Sequence, residues 1–120
     1  MPEVKDKKYG KTLFYIEGNE IKDKKYGTTL FYLNGAEVRE KSKYGNVNFY
    51  IDGDEIKEKS KYGNVRYYVN GNEIKDKSKY GSLRFFLDGS EIKDKKYGNV
   101  KYFIDGALTR DQLYGLLSII

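Results

Sequence analysis

A chain of 120 residues is enough for one small domain, and with 38% hydrophobic against 34% charged residues it has little material for a large dry core. Thirteen Tyr and six Phe supply much of its buriable area and lift it out of the disordered class. The absence of Cys and His excludes disulfides, Ser-His-Asp and Cys-His catalysis and ordinary zinc sites, while a net charge of +5 fits either an anionic partner or a plain lysine-rich surface.

The chain opens on "MPEVKDKKYG", which has no apolar stretch of the signal-peptide kind, and no later run approaches the ~20 apolar residues of a membrane span. This favours a cytoplasmic or phage-encoded protein. From residue 9 onward the sequence repeats itself. Tyr-Gly pairs begin at Tyr9, Tyr26, Tyr44, Tyr62, Tyr80 and Tyr97, and a second glycine series runs through Gly18, Gly35, Gly53, Gly71, Gly89 and Gly106 with the same 17- or 18-residue spacing. A fixed period this short leaves room for one supersecondary element per unit.

That element reads as a β-hairpin. In "VNFYI" (47–51) Val47, Phe49 and Ile51 alternate with Asn48 and Tyr50, the two-residue period of a strand. Asp52-Gly53 follows, and Asx-Gly between alternating segments predicts a type I′ turn. With those two residues as the loop, Phe49 faces Ile56 and the return strand "EIKEKSK" is almost all charge. The same columns persist along the chain. One face is expected to carry Thr12, Thr29, Val47, Val65, Leu83 and Val100 with the Phe14 and Ile16 columns; the other carries Tyr15, Tyr32, Tyr50, Tyr68, Phe86 and Phe103. The fold class predicted is all-β: tandem β-hairpin repeats of about twelve short up-and-down antiparallel strands. The strand-turn-strand units fall at 3–18, 19–35, 36–53, 54–71, 72–89 and 90–106. A solenoid with one coil per period competes, but it would bury Asp76 and Ser78 without partners. Whether the sheet closes is left open.

The last unit departs from the pattern. After Asp105-Gly106 comes "ALTRDQLYGLLSII", in which Thr109 and Gln112 stand at capping-box spacing and Leu113, Leu116, Leu117 and Ile120 share one helical face. A helical cap over 107–120, covering the open end of the stack, is expected; a helix that docks on a partner or touches a membrane is the alternative. Gly115 weakens this helix by ~1 kcal/mol.

Little in the sequence points to catalysis. There is no phosphate-binding glycine loop, "DGDE" (52–55) reads as a turn rather than a calcium site, and the acids recur in every unit where an active site would occur once. No enzyme activity, cofactor or metal is expected. What remains is a repeated surface. The predicted register sets Arg66 opposite Lys75 and Arg84 opposite Lys93, like charges that folding alone would not favour. Beside them runs the aromatic column. Tyr50, Tyr68, Phe86 and Phe103 with Arg66, Lys75, Arg84 and Lys93 are therefore the candidate binding residues, through stacking and charge. The competing reading is that the lysines only splay into water and cover the rings with their stems.

"RYYVNG" (66–71) and "KYFIDG" (101–106), recurring within a short hairpin unit, resemble the choline- and glucan-binding repeats of bacterial cell-wall and toxin proteins. The resemblance implies a binding module of hairpin repeats with Tyr50, Tyr68 and Phe86 facing the ligand. The expected function is a non-enzymatic repeat module that presents its aromatic, lysine-rich face to a cell-wall-type polymer or a protein. A nucleic-acid binder using the Lys/Arg ladder and a self-assembling structural protein are the other readings.

Overall fold

A computed structural model describes residues 2–120. Twelve strands run in chain order: β1 Glu3–Lys5, β2 Thr12–Glu17, β3 Glu20–Lys22, β4 Thr29–Asn34, β5 Glu37–Glu40, β6 Val47–Asp52, β7 Glu55–Glu58, β8 Val65–Asn70, β9 Glu73–Asp76, β10 Leu83–Asp88, β11 Glu91–Lys93 and β12 Val100–Asp105. One helix follows, α1 Arg110–Ile119. Each strand pairs antiparallel with its neighbours in sequence, and β1 pairs with β12 through Glu3↔Asp105, Val4↔Ile104 and Lys5↔Phe103. The sheet is a closed twelve-stranded barrel. The all-β class and the C-terminal helix stand, but the tandem hairpin array does not, and with it goes the resemblance to choline- and glucan-binding repeats.

Closure pairs unlike strands, as every other contact in the sheet does: β1 is charged and β12 aromatic. β1 serves as the return strand of β12. The Val4↔Ile104 rung is then the sixth copy of a rung made elsewhere by Ile16↔Ile21, Leu33↔Val38, Ile51↔Ile56, Val69↔Ile74 and Leu87↔Ile92. Val4, Ile21, Val38, Ile56, Ile74 and Ile92 are fully buried, so this belt of rungs forms the core of the ring. Closure also leaves no edge strand to recruit another chain.

Two local features differ from the sequence reading. Glu17 pairs with Glu20, Asn34 with Glu37 and Asp52 with Glu55, so the two loop residues are Gly18-Asn19, Gly35-Ala36 and Gly53-Asp54. Glycine is the first central residue, its φ is +58° to +62° at Gly18, Gly35, Gly53, Gly71 and Gly89, and the residue after it does not share the positive φ. That is type II′ geometry, not type I′. The residue before glycine is thus a strand residue with no need of Asn or Asp, which accounts for Glu17. The register moves by two residues, so Ile56 keeps its face but meets Ile51 instead of Phe49.

The second feature is a bulge in every aromatic strand. β1 pairs Val4 with Phe14 but Lys5 with Thr12, leaving Leu13 as an extra residue; Leu30, Asn48, Arg66, Arg84 and Lys101 hold the equivalent place. The bulge breaks the alternation. Thr12, Thr29, Val47, Val65, Leu83 and Val100 pair with Lys5, Lys22, Arg39, Lys57, Lys75 and Lys93, and so share the charged face instead of the apolar one.

A ring of twelve strands is wider than side chains alone can fill, since about eight strands already enclose a packed interior. Helix α1 fills the difference. Thr109 and Gln112 form both hydrogen bonds of a capping box. Gln112 then donates to the Gly18 carbonyl and Arg110 to the Gly53 carbonyl, which places the start of the helix at the end of the barrel where the hairpin turns lie. Tyr114 through Ser118 are buried without interruption. At ~100° per residue five successive positions take in every side of a helix, so α1 enters the barrel as a plug. Gly115 has its reason here: a Cβ would stand 2.6 Å from a methyl of Leu33. The Cα extents of 39 × 38 × 17 Å describe a broad, shallow ring.

Removing one period, residues 62–79, takes out two strands and forces a ten-stranded ring around a helix cut for twelve. Urea melts should show it to be far less stable than the intact chain, with truncation before Thr109 similarly damaging. A period-deleted protein of undiminished stability would contradict closure. At the turns, a Cβ on Gly71 meets nothing within 4 Å. Gly71→Val should therefore cost at least the ~1–2 kcal/mol of a left-handed residue in the same assay, through the backbone penalty of positive φ alone.

Candidate functional site

Up-and-down topology puts the five hairpin turns at one end of the barrel, with the link from β12 to α1, and the six connectors at the other. Each connector contains Lys-Tyr-Gly, at 8–10, 25–27, 43–45, 61–63, 79–81 and 96–98. The glycine N–H donates to the carbonyl three residues back: Lys7, Lys24, Ser42, Ser60, Ser78 and Lys95 in turn. All six connectors therefore carry the same β-turn, with lysine and tyrosine as its central residues. Two kinds of support hold these turns. Asp6, Asp23 and Asp94 accept hydrogen bonds from the backbone N–H of Lys11, Thr28 and Asn99 at 2.9–3.0 Å. In the one-residue-longer connectors Ser42, Ser60 and Ser78 accept from the N–H of Tyr44, Tyr62 and Tyr80 at 3.2–3.3 Å.

The tyrosines stand clear of the protein. Tyr9, Tyr26, Tyr44, Tyr62, Tyr80 and Tyr97 are 85–90% exposed. In five of the tips the preceding lysine lays its Nζ over the ring at 5.4–5.6 Å: Lys8, Lys25, Lys43, Lys79 and Lys96. The fold explains the glycine, because a Cβ at Gly45 would collide with the Glu40 carbonyl and one at Gly10 with the Asp6 carboxylate. It does not explain the tyrosine, which buries nothing. Nor does it explain Lys41, Lys59 and Lys77, which sit at φ +64° to +66°. That region disfavours any residue with a Cβ, and glycine or asparagine would fit there at lower cost.

Charge is divided between the two ends. The connectors hold 13 lysines, and with Arg66, Arg84 and Lys101 at the bulges they face only Asp6, Asp23, Asp94, Glu40, Glu58 and Asp76, a net +10. The turn half, with the remaining seven cations and twelve acids, is net −5. A molecule of modest overall charge is thus strongly bipolar.

The residues singled out from the sequence fall in two different places. Tyr50, Tyr68, Phe86 and Phe103 lie half-buried on the charged face of the sheet, opposite Lys57, Lys75, Lys93 and Lys5. Lys75 and Lys93 thus meet aromatic rings instead of arginines, and the like-charge rungs do not form. Their ammonium groups are occupied: Lys93 reaches Asp88 at 2.9 Å and Glu91 at 3.7 Å, and Lys75 reaches Glu73 at 3.5 Å and the Lys79 carbonyl at 3.0 Å. The same clamp recurs at Lys5, Lys22, Arg39 and Lys57. Arg66 and Arg84 are elsewhere, at the bulges, with guanidinium carbons 5.7 and 6.0 Å from the ring centre of Tyr67. Arg66 also reaches Glu58 at 3.4 Å. The aromatic and lysine-rich β-face expected to act as a repeat module is therefore largely a self-neutralised wall. The connector tips, used above only to mark the period, were missed as a site. Their signal was present: Lys-Tyr-Gly is identical in all six units, whereas the buried columns drift among Ile, Leu and Val or Phe and Tyr.

No family model matches this chain, and neither a curated protein nor a solved structure shows significant similarity to it. No helix among the described residues is long and apolar enough to cross a membrane. The strands, at three to six residues, are also shorter than the ~9–11 of a membrane-spanning strand.

The clamps make a prediction about alkaline pH. Hydrogen bonds to Glu17, Asp52 and Asp88 hold Lys22, Lys57 and Lys93 above their ordinary pKa, against the opposing effect of desolvation. Burial, chiefly, raises the Tyr114 hydroxyl as well. All four groups keep their protons in the fold beyond the pH at which the unfolded chain releases them. Their contribution is complete below about pH 10 and is lost as pH rises through the folded values. Chemical denaturation from pH 8 to 11.5 should show stability falling above about pH 10, with a shallower fall in a Lys22→Gln, Lys57→Gln, Lys93→Gln variant. Equal slopes for the two proteins would contradict the assignment.

Proposed function

We propose that this chain is a non-catalytic binding protein whose contact surface is the ring of six Lys-Tyr tips at the connector end, and that its partner is anionic. The observation that supports this reading is a pair of side chains repeated without change at six connector tips whose tyrosines are 85–90% exposed, where the fold asks for neither. Six equivalent tips on one rigid closed ring act together. Weak single contacts, each a tyrosine face and one or two ammonium groups, sum to avidity without any deep pocket. The acidic turn end, facing the other way, ensures that only the rim approaches an anionic surface. Clamped lysines of the barrel wall contribute stability and solubility instead of contact.

A second reading draws on the same bipolar charge: the basic rim of one copy set against the acidic turn end of another, an open head-to-tail contact. It requires a mass that grows with concentration and collapses in salt.

The test uses substitutions that the fold tolerates. Lys41→Gly, Lys59→Gly and Lys77→Gly together relieve three strained backbone positions, so thermal stability should hold or rise. The same triple change removes three rim charges. Binding to heparin, taken as a generic polyanion, should weaken about tenfold or more at low salt and become less salt-dependent. Unchanged heparin binding, or a protein that binds no polyanion at low ionic strength, would remove the rim from consideration.

A further inference from the structure

We infer that the anionic partner of the rim is single-stranded nucleic acid, laid around the ring with bases against the tyrosines and phosphates against the flanking lysines. This rests on the reading of the rim as the contact surface and adds the class of partner.

Each tip pairs one freely exposed aromatic ring with two lysines: Lys7 and Lys8 with Tyr9, Lys24 and Lys25 with Tyr26, Lys41 and Lys43 with Tyr44, and so through Lys59 and Lys61, Lys77 and Lys79, and Lys95 and Lys96. One planar π-face beside two cations, six times over, matches the alternation of base and phosphate along a strand. Stacking of this kind tolerates any base, because every base has a face to offer. In five of the six tips the lysine above the ring occupies one side of it and leaves the other to a ligand.

Other anions fit the tips less well. A lipid surface would draw on the lysines, but the connectors contain only Asp, Lys, Ser, Thr, Asn and Gly besides the tyrosine, so nothing apolar is offered to hydrocarbon. A neutral glycan would stack on the tyrosines and leave 13 lysines unused. Double-stranded DNA hides its base faces and stays straight over a persistence length of about 150 bp. It cannot follow a ring whose Cα extents are 39 × 38 Å. A single strand can. Neighbouring tips are separated by two strand spacings, at least ~10 Å along the sheet, whereas stacked bases repeat every ~3.4 Å. The strand is therefore splayed, with unstacked nucleotides bridging from one tyrosine to the next. Affinity should grow with length until the ring is encircled, and then level off at one strand per ring.

The experiment is fluorescence anisotropy of labelled oligothymidylates of increasing length, read with the full chain at 50 and 200 mM salt. Anionic phosphatidylserine vesicles and a duplex of matched length serve as the competing probes. Expected is tighter binding of the single strand than of the duplex, with affinity saturating in length. Tyr62→Ser should weaken it roughly fivefold or more at an unchanged salt slope, and Tyr62→Phe should restore it. Lys61→Gln should instead flatten the salt slope by about 0.7. The tyrosine is 89% exposed, so neither variant threatens folding. Equal affinity for duplex and single strand overturns the inference, as does a Tyr62→Ser variant that binds like the parent. Binding to vesicles or heparin but not to the oligomers also overturns it, while leaving the rim as the contact surface. Failure to bind any of the oligomers, the duplex, the vesicles and heparin at 50 mM salt overturns both readings.

Discussion

Three residues of β1, Glu3, Val4 and Lys5, hold the ring shut, and most of what the molecule does follows from that contact. Val4 enters the belt of aliphatic rungs opposite Ile104, and Lys5 takes the place beside Phe103 that a lysine or arginine takes on every other hairpin. The Lys5 ammonium lies 3.2 Å from Asp105. Open the pairing and the sheet gains two edges, the belt loses its sixth rung, and the connector tips become a row instead of a ring. The closed ring in turn poses a filling problem that strands alone do not solve. α1 answers it by entering from the turn end, guided by Gln112 on the Gly18 carbonyl and Arg110 on the Gly53 carbonyl. Because the plug enters at the turn end, the connector end carries no part of the helix start.

The two faces of the sheet and its two ends carry separate duties. Inside, aliphatic rungs and the Phe14 column supply cohesion. On the wall, each cation reaches one or two carboxylates, which satisfies charge locally and leaves little long-range attraction; ion pairs at a surface of this kind add little to stability. At the rim the pattern reverses: lysines outnumber acids, rings stand in solvent, and Lys41, Lys59 and Lys77 occupy backbone conformations that suit them poorly. These three positions are exposed, so no side-chain packing offsets the cost of that backbone conformation.

Much of this was legible in the sequence. The strand positions, the punctuating glycines and the Thr109–Gln112 box all follow from local rules, because hydrogen-bond geometry and φ preference act over a few residues. The turn type was misread because Asx-Gly fits type I′ by composition; only Glu17, a residue that type I′ would place at positive φ, argued for moving the loop one residue along. The bulges were invisible for a related reason. Leu13, Leu30, Asn48, Arg66, Arg84 and Lys101 have no side-chain feature in common, so nothing in the pattern announced a break in alternation. Closure was written in the mismatch between a charged first strand and an aromatic last one, yet pairing residues a hundred positions apart is a long-range choice that no local preference encodes. The rim was legible and overlooked. In a repeat, identity at a position that packs against nothing carries more information than identity in the core.

The bulge series shows how far the six units have diverged where the fold is indifferent. Running around the mouth of the barrel it reads Leu13, Leu30, Asn48, Arg66, Arg84, Lys101, apolar on one side and cationic on the other. Glu40, Glu58 and Asp76 end β5, β7 and β9 and pair with Phe31, Phe49 and Tyr67. Arg66 and Arg84 close over Tyr67 in a cleft shared with Asp76 and Lys77. Beneath six identical tips the ring is therefore not sixfold in charge. An anionic chain that met the tips with equal affinity all round would still be held closest over β8, β10 and β12. Sixfold tips would give the contact its avidity, and the uneven floor beneath them would fix where along the ring it begins.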